Sequence, residues 1–245
     1  LDRITHVVWP ESAVPFNLAA EPEALALMAR VMPRGGAILT GAPRAAGAGA
    51  NYQVWNSLLA VDDRGRVVAV FDKFHLVPFG EYVPWRDILS VEKIVPGGVD
   101  FSPGPGPRTL DVPGLPPFSP LICFEIIFPA AVTDRDNRPQ WLLNITNDAW
   151  YGKSTGPYQH MEIARIRAIE EGLPLLRVAN TGISTAVDGY GRVLARLELN
   201  DSGVLDTALP RAVAGSTLYG NWGDWTLAPI LLFLMLASWL RKPRP

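Results

Sequence analysis

The chain has 245 residues, of which 22 are Lys or Arg and 24 are Asp or Glu, so its formal net charge is −2 at pH 7. This near balance excludes the basic excess typical of nucleic-acid-binding proteins, and the length suffices for one large domain or two small ones. A single cysteine excludes an internal disulfide framework, and the three histidines match no zinc-binding spacing such as HExxH, so we expect no metal site.

The first half of the chain is predicted to contain strands, one helix and a hairpin. ITHVVWP is predicted to be a strand ending at Pro10, and EPEALALMARVM an amphipathic helix with Leu25, Met28 and Met32 on one side. GAILTGAP is predicted to be a short strand closed by Gly and Pro, and YQVWNSLLAVDDRGRVVAVFDK a β-hairpin turning at DDRGR. Residues 96–117 are rich in Pro and Gly and are expected to form a loop around a brief RTLDV strand.

The second half repeats the alternation of strands and helices. SPLICF and QWLLNIT are predicted to be buried strands, and GPYQHMEIARIRAIEEG a helix with an imperfect apolar face. PLLRVAN is predicted to be a strand, and STAVDGYGRVLARLEL a second hairpin turning at DGYG. Strands that alternate with helices and are interrupted by hairpins indicate a mixed α/β layered domain.

The two ends of the chain predict a longer, membrane-attached protein. The first residues match no signal peptide, and we expect further residues before Leu1. Trp225 to Leu240 has 16 residues without a charge and is followed by RKPRP. At about 1.5 Å per residue this makes about 24 Å of helix, against a hydrocarbon core of about 30 Å. A buried terminal helix would have the same length. A membrane helix is favoured because the segment is apolar on all faces and ends at Arg241 and Lys242, which would lie in the cytoplasm.

Three polar residues follow apolar strands, namely Glu11, Lys73 and Cys123. Each alone is more often a solvated charge or, for the cysteine, a small buried hydrophobe. Together they meet a chemical need, because a thiol with a pKa of about 8.5 is mostly protonated at neutral pH. Glu11 could accept the thiol proton, and Lys73 could stabilise the thiolate and the oxyanion formed when it attacks a carbonyl. The backbone N–H of Phe124 could be a second oxyanion donor.

The order Glu11, Lys73, Cys123 resembles the Glu-Lys-Cys triad of the nitrilase (carbon–nitrogen hydrolase) superfamily. The segments WPESAVP, FDKFHLVPFGEYVP, ICFEIIFP and NITNDAWYGKSTGPYQHMEIARIRAIEEGLPLLRVANTGIS resemble the apolipoprotein N-acyltransferase family within it. This resemblance implies an α/β fold, a nitrilase-like four-layer α-β-β-α sandwich at residues 1–220. The sandwich is expected to lack the family's first strand and its preceding membrane helices. One transmembrane helix and a basic cytoplasmic tail are expected at residues 221–245.

The resemblance also assigns roles to individual residues. It implies that Glu11 is the general base, Lys73 the oxyanion stabiliser and Cys123 the nucleophile. Glu81, in FGEYVP, matches a second glutamate that orients the lysine and assists proton transfer.

Other residues near the nucleophile are expected to support these. Glu125 matches a further family residue close to the nucleophile. Phe124 occupies a position that is often Tyr in the family, which removes a hydroxyl but keeps the backbone N–H donor. His75 and His160 are expected to be structural or hydrogen-bonding residues that relay no protons.

The activity implied by the resemblance is a two-step acyl transfer without metal or diffusible cofactor. Cys123 would take a fatty acyl group from a phospholipid as a thioester and pass it to the free α-amino group of a diacylglyceryl-cysteine at the N-terminus of an apolipoprotein. Besides these two substrates, the expected partner is the membrane bilayer, and the protein is expected to be a monomer that binds no nucleic acid. Its expected location is the bacterial inner membrane, with the catalytic domain on the periplasmic or extracytoplasmic face.

Two alternatives belong to other functional classes. A soluble nitrilase-type amidase would use the same triad with water as acceptor, but would leave the apolar terminal segment without a role. A membrane-tethered binding module without catalysis would leave the intact set Glu11, Lys73, Glu81 and Cys123 without a role.

Overall fold

The computed structural model describes residues 4–85 and 99–240, which leaves the tail 241–245 and part of the predicted Pro- and Gly-rich loop outside the described residues. The described strands, β1 to β9 in chain order, are His6–Val8, Ala37–Ala46, Gln53–Asp62, Val67–Asp72, Phe118–Ile122, Trp141–Asn147, Leu175–Asn180, Ser184–Val187 and Val193–Leu197. The α-helices, α1 to α4, are Pro22–Val31, Gly156–Glu171, Leu218–Trp222 and Ala228–Leu240. Short 3-10 helices include Cys123–Ile127 and Asp148–Tyr151.

The nine strands form two sheets. The first has the order β1-β2-β3-β4, with β1 parallel to β2 and the other pairs antiparallel. The second has the order β5-β6-β7-β8-β9. In it β5, β6 and β7 are parallel, whereas β8 is antiparallel to β7 and β9 is antiparallel to β8. Both predicted hairpins are therefore present, as β3–β4 and β8–β9. The predicted RTLDV strand is reduced to a single bridge between Leu110 and Phe118.

Side chains alternate between the two faces of each strand and so build three apolar layers. Leu58 and Phe71 of the first sheet pack with Phe118 and Trp141 of the second in the core between the sheets. On the outer face of the first sheet, Leu59 packs in a second cluster that includes the apolar side of α1. The outer face of the second sheet packs against α2 in a third cluster. The order of layers is therefore α-β-β-α, which confirms the predicted fold class.

The prediction that GAILTGAP is a short strand closed by Gly and Pro is wrong, because β2 continues through Gly41 and Pro43 to Ala46. Pro43 lies opposite Asn56 of β3, and the Asn56 carbonyl accepts the N–H of Lys73 on the other side. The backbone of Asn56 thus faces away from β2, so the missing N–H of Pro43 interrupts no hydrogen bond between the two strands.

Gly41 allows the chain after β1 to cross directly over β2. The Gly41 N–H donates to the Pro10 carbonyl, and the Val14 N–H donates to the Gly41 carbonyl. A Cβ at Gly41 would lie 2.6 Å from the Cα of Glu11 and 2.7 Å from the backbone nitrogen of Ser12. This close approach fixes the backbone position of Glu11 over the first sheet.

The C-terminal helical segment runs over 23 residues, from Leu218 to Leu240, and is long and apolar enough to cross a membrane by length and composition. An 18-residue window within it has a mean hydropathy of 1.5. The segment begins seven residues before the predicted start at Trp225, but Gly223, with a φ of +53°, interrupts it after α3. Its longest continuous helix is α4, 13 residues or about 20 Å at 1.5 Å per residue. Its apolar side chains are exposed, with Phe233 exposed by 70%. This exposure contradicts the alternative of a terminal helix buried in the domain.

We predict that Gly41→Ala destabilises the protein by about 1–3 kcal/mol, because the added methyl group would meet backbone atoms that cannot move aside. For a chain of this size, each kcal/mol lowers Tm by about 2–4 °C. The measurement is thermal unfolding of the complete protein in detergent. Gly203→Ala is the matched control, since a Cβ there meets only the Leu197 side chain at 3.5 Å. Equal Tm values for the two variants would contradict the prediction.

Candidate active site

A cavity of about 550 Å³ lies at the ends of strands from both sheets. Its polar wall includes Glu11, Asn56, Lys73, Glu81 and Cys123, so the structure brings together the side chains that the sequence proposed for chemistry. The remaining wall is mainly apolar and includes Pro15, Pro43, Val77, Pro78, Phe101, Phe124, Trp150 and Tyr151. Its volume is within the range of about 300–1,000 Å³ that is usual for small-molecule sites.

Cys123 follows β5 and begins the 3-10 helix Cys123–Ile127 with a φ of +53°. A positive φ is unfavourable for a residue with a Cβ and persists only where the surroundings enforce it. Burial raises the pKa of the Cys123 thiol to about 12; the Glu11 carboxylate acts in the same direction, while Lys73 acts against it. The resting thiol is therefore protonated and needs a base.

Glu11 is buried, and both of its carboxylate oxygens are held. Oε1 accepts from Asn56 Nδ2 at 2.7 Å, and Oε2 accepts from the backbone N–H of Asn147 at 2.7 Å. Burial raises the pKa of Glu11, and the Lys73 ammonium and the Asn56 amide oppose this shift. A carboxylate with a raised pKa is a stronger base, which suits removal of a proton from a thiol.

Lys73 follows β4 and is only 1% exposed. Its Nζ lies 2.9 Å from Glu81 Oε2 and 3.9 Å from Glu11 Oε1. Burial by itself lowers the pKa of Lys73, but Glu11, Cys123 and Glu81 outweigh it, and the pKa is raised. The lysine is thus a fixed cation beside the thiol, with no access to bulk solvent.

Asn56 is a site residue that the sequence analysis missed. Its Nδ2 donates to Glu11 Oε1 and, at 2.9 Å, to Glu81 Oε1, so one amide holds both carboxylates beside Lys73. The only sign of Asn56 in the sequence is that a polar residue occurs within the mainly apolar strand β3. Glu81 is held further by the backbone N–H of Val77, which donates to Oε2 at 2.8 Å.

Glu125 connects the two halves of the site. Its Oε1 accepts from the backbone N–H groups of Phe74 and His75, at 2.7 and 3.2 Å, and its Oε2 accepts from that of Ile122 at 2.8 Å. The segment after the lysine is thereby tied to the residue before the nucleophile. Glu125 is fully buried, and burial raises its pKa to about 7 although the three N–H groups lower it.

A second buried polar cluster lies behind Cys123, between the second sheet and α2. His160 Nε2 lies 3.2 Å from the Cys123 carbonyl oxygen, and its Nδ1 lies 2.9 Å from Asp148 Oδ1. Arg177 donates to Asp148 Oδ2 at 2.7 Å and also to Asn144. His160 was predicted to be a hydrogen-bonding residue. Asp148, Arg177 and Asn144, the other members of the cluster, were not predicted.

The apolar loop side chains Val83, Trp85 and Trp150 differ in exposure, and of these three only Trp150 lines the cavity. Trp85 is 73% exposed and Trp150 is 61% exposed, whereas Val83 is buried and therefore packs as an ordinary core residue. The Phe124 ring packs edge-on against Phe128, at 4.9 Å between centroids. Over residues 4–85 and 99–240, no group of three or more His, Cys, Asp or Glu side chains is arranged to hold a metal ion.

Comparison with known proteins agrees with this geometry. The family model described as carbon-nitrogen hydrolase matches residues 5–219. The chain belongs to the carbon–nitrogen hydrolase family. It is similar in fold to an amidase from Nesterenkonia sp., with a TM-score of 0.61 and 21% identity over 94% of this chain and 84% of that one. It is also similar to a carbon–nitrogen hydrolase from Helicobacter pylori G27, with a TM-score of 0.58 and 16% identity over 82% of this chain and 75% of that one.

Curated relatives are considerably more similar in sequence. The apolipoprotein N-acyltransferase of Rhodopseudomonas palustris is 44% identical over 99% of this chain and 46% of its own length. That of Bradyrhizobium diazoefficiens is 44% identical over 97% of this chain and 45% of its own length. The chain therefore spans about half the length of the curated relatives it matches.

We predict that Asn56→Leu moves the acid limb of the kcat/KM profile upward by about one pH unit. The Asn56 amide stabilises ionised Glu11, so its removal raises the pKa of Glu11. As pH is lowered, the variant therefore protonates Glu11, and loses activity, at a higher pH than the wild type. The measurement is the pH profile of thiol acylation by an ester. Asn17→Ala, which loses an amide that donates to the Ala45 carbonyl, is the control. An unchanged acid limb in Asn56→Leu would show that Glu11 is not the titrating base.

Proposed function

We propose that this chain carries the catalytic domain of an apolipoprotein N-acyltransferase. It would move a fatty acyl group from a phospholipid, through a thioester on Cys123, to the α-amino group of an N-terminal diacylglyceryl-cysteine. The observation that carries the proposal is the convergence of Glu11, Lys73 and Cys123 in one largely apolar cavity. The names of the curated relatives support the choice of an apolipoprotein acceptor and of acyl transfer to nitrogen.

The first half-reaction begins with proton transfer. Glu11 takes the thiol proton as the sulfur attacks the ester carbonyl carbon, because the resting thiol is protonated and the carboxylate is basic. The carbonyl oxygen becomes an oxyanion that Lys73 and the Phe124 N–H stabilise. The ester C–O bond then breaks, and the lysophospholipid oxygen leaves with the proton from Glu11. The acyl group remains on sulfur.

The second half-reaction repeats these roles with an amine. The α-amino nitrogen attacks the thioester carbonyl, Glu11 accepts a proton from that nitrogen, and Lys73 again faces the oxyanion. Collapse breaks the C–S bond, the sulfur recovers the proton and an amide is formed. A thioester is more reactive towards amines than the starting ester, so the intermediate lowers the barrier to acyl transfer from an ester to an amine. No step requires a metal or a diffusible cofactor.

We further propose that residues 1–220 form the catalytic domain and residues 221–245 a transmembrane helix with a cytoplasmic tail. The exposed apolar helical segment and the basic RKPRP that follows it support this division. The catalytic domain would then lie on the periplasmic or extracytoplasmic face of the inner membrane. A monomer would suffice, because the proposed triad comes from one chain.

The direct test is the acyl adduct. In the complete gene product, incubated with phospholipid alone, mass spectrometry should find a fatty acyl group on Cys123. Cys123→Ala should reduce transfer to a lipopeptide by at least about a thousandfold, and Cys123→Ser should fail as well because a hydroxyl is much harder to deprotonate. Circular dichroism should show that both variants remain folded.

The products distinguish the proposal from its alternatives. An acylated lipopeptide supports the transferase, and free fatty acid alone would indicate an amidase-like hydrolase with water as acceptor. No product and no adduct would indicate a binding module. Full transfer by the Cys123→Ala variant would refute the mechanism.

We also predict that Trp85 and Trp150 border a lipid entrance. Acyl chains leave a bilayer only at a cost of about 0.8 kcal/mol per CH₂, so the thiol has to be reached from the membrane surface. Replacing both exposed side chains by Ser should lower thioester formation from bilayer phospholipid by about tenfold, the effect of about 1.4 kcal/mol. Acylation by a short-chain soluble ester should be unchanged.

Tyr190→Ser, at the exposed β8–β9 turn, is the control, because it also removes an exposed aromatic side chain but lies outside the predicted entrance. Unchanged thioester formation from bilayers in the double Trp variant would refute the entrance.

A further inference from the structure

The buried cluster behind Cys123 contacts the backbone of the nucleophile. The Cys123 carbonyl oxygen lies 3.2 Å from His160 Nε2 and accepts from Asn144 Nδ2 at 3.4 Å. Since a carbonyl only accepts, Nε2 of His160 carries a proton in this contact. Asn144 also donates to the Leu121 carbonyl at 3.1 Å, so it holds both the strand before the nucleophile and the turn that contains it.

The hydrogen bonds to the Cys123 carbonyl also fix the direction of the Phe124 N–H. The C=O of Cys123 and the N–H of Phe124 belong to one planar trans peptide and point in opposite directions. As the second residue of the 3-10 helix Cys123–Ile127, Phe124 has an N–H outside the hydrogen-bond pattern of that helix. While the carbonyl points to His160 and Asn144, behind the site, the N–H is directed to the opposite side, where an oxyanion can accept it.

Two ions hold the carbonyl's partners in place. Asp148 accepts from Thr146 at 3.1 Å and contacts His160 Nδ1, while Arg177 binds both Asp148 and Asn144. Asp148 and Arg177 are each only 1% exposed. A buried ion pair gives little net stability, but it imposes a single geometry on its neighbours because any other arrangement leaves a charge unpaired.

We infer that His160 and Asn144, held by Asp148 and Arg177, are positioning residues for the Phe124 N–H as oxyanion donor. They act through the Cys123–Phe124 peptide and do not touch the reacting atoms. This inference rests on the proposed acyl transfer by Cys123. Cys123 also has a positive φ, a strained conformation that these contacts help to hold.

The test compares two reactions of the same thiol in the complete gene product in phospholipid nanodiscs. Acylation by an ester needs the oxyanion donor, whereas alkylation by iodoacetamide needs the thiolate but forms no oxyanion. The variants are His160→Leu, which removes the donor, and His160→Gln, which keeps an N–H donor. A third variant, Asn144→Asp, replaces the donor amide by an acceptor of nearly equal volume. Titration of reactive thiol normalises each rate to folded protein.

We expect His160→Leu and Asn144→Asp to lower kcat for acylation by about 10²-fold per reactive thiol, close to the loss of one oxyanion-hole donor. KM and the alkylation rate should stay near wild type, because the oxyanion exists only in the transition state. His160→Gln should recover activity to within about tenfold of wild type. Arg138→Met breaks an ion pair with Glu171, which lies on α2 like His160, and should leave the ratio of the two rates unchanged.

The outcomes separate the inference from the proposed function. If wild-type protein is alkylated but never acylated, the proposed acyl transfer fails. If wild-type protein is acylated and the ratio of acylation to alkylation is unchanged in both His160→Leu and Asn144→Asp, the positioning role is refuted. An equal loss of both reactions per folded molecule would show that the cluster acts on the thiolate, which also refutes it.

Discussion

Burial of the Lys73 ammonium is the constraint on which the rest of the site depends. Removing a cation from water costs several kcal/mol, and this is offset only if anions and hydrogen-bond acceptors are fixed around it. Glu81 at 2.9 Å and Glu11 at 3.9 Å supply the charge. Two carboxylates so close would repel each other, and Asn56 offsets this by donating to both. The backbone crossing at Gly41 then follows as the way in which Glu11 reaches the cluster.

The same charges explain why the thiol rests in its neutral form. The two carboxylates already neutralise Lys73, so little positive potential remains for a thiolate, and burial raises the pKa of Cys123 to about 12. Once Glu11 has taken a proton, one negative charge disappears and Lys73 is free to stabilise the sulfur or an oxyanion. In the proposed mechanism, activation of the nucleophile is therefore coupled to proton transfer to Glu11. Because of this coupling, the thiol reacts only when the carbonyl group of a substrate is already bound next to it.

Local patterns in the sequence predicted a mixed α/β layered domain and singled out the principal site residues, whereas the four-layer sandwich and the roles of those residues were implied by the family resemblance. Strand periodicity and turn composition located both hairpins, and polar residues just after apolar strands located Glu11, Lys73 and Cys123. The length of β2 was not predictable in this way, since Pro43 is tolerated only because Asn56 faces the other neighbour. The buried cluster was missed for a similar reason.

Asn144 and Arg177 interrupt apolar strands, and nothing local shows that they meet. Their pairing depends on the register of β6 against β7 and on the packing of α2, which are properties of the assembled sheet. Asp148 likewise contacts His160 only because the 3-10 helix after β6 faces α2. Prediction from the sequence therefore stopped at polar residues whose partners meet only in the assembled sheet and helix.

The two sheets divide the chemistry between them. In the proposed mechanism, the first supplies the base and the cation, through Glu11 and Lys73, and the second supplies the nucleophile and the backbone donor of Phe124. The relative position of the sheets then sets the distance over which the proton and the acyl group move. Apolar packing between the sheets fixes this position on the large scale. Glu125 fixes it locally, since it accepts from backbone groups on both sides of the interface. A carboxylate that takes no part in proton transfer can thus be as necessary to the geometry as the residues that do.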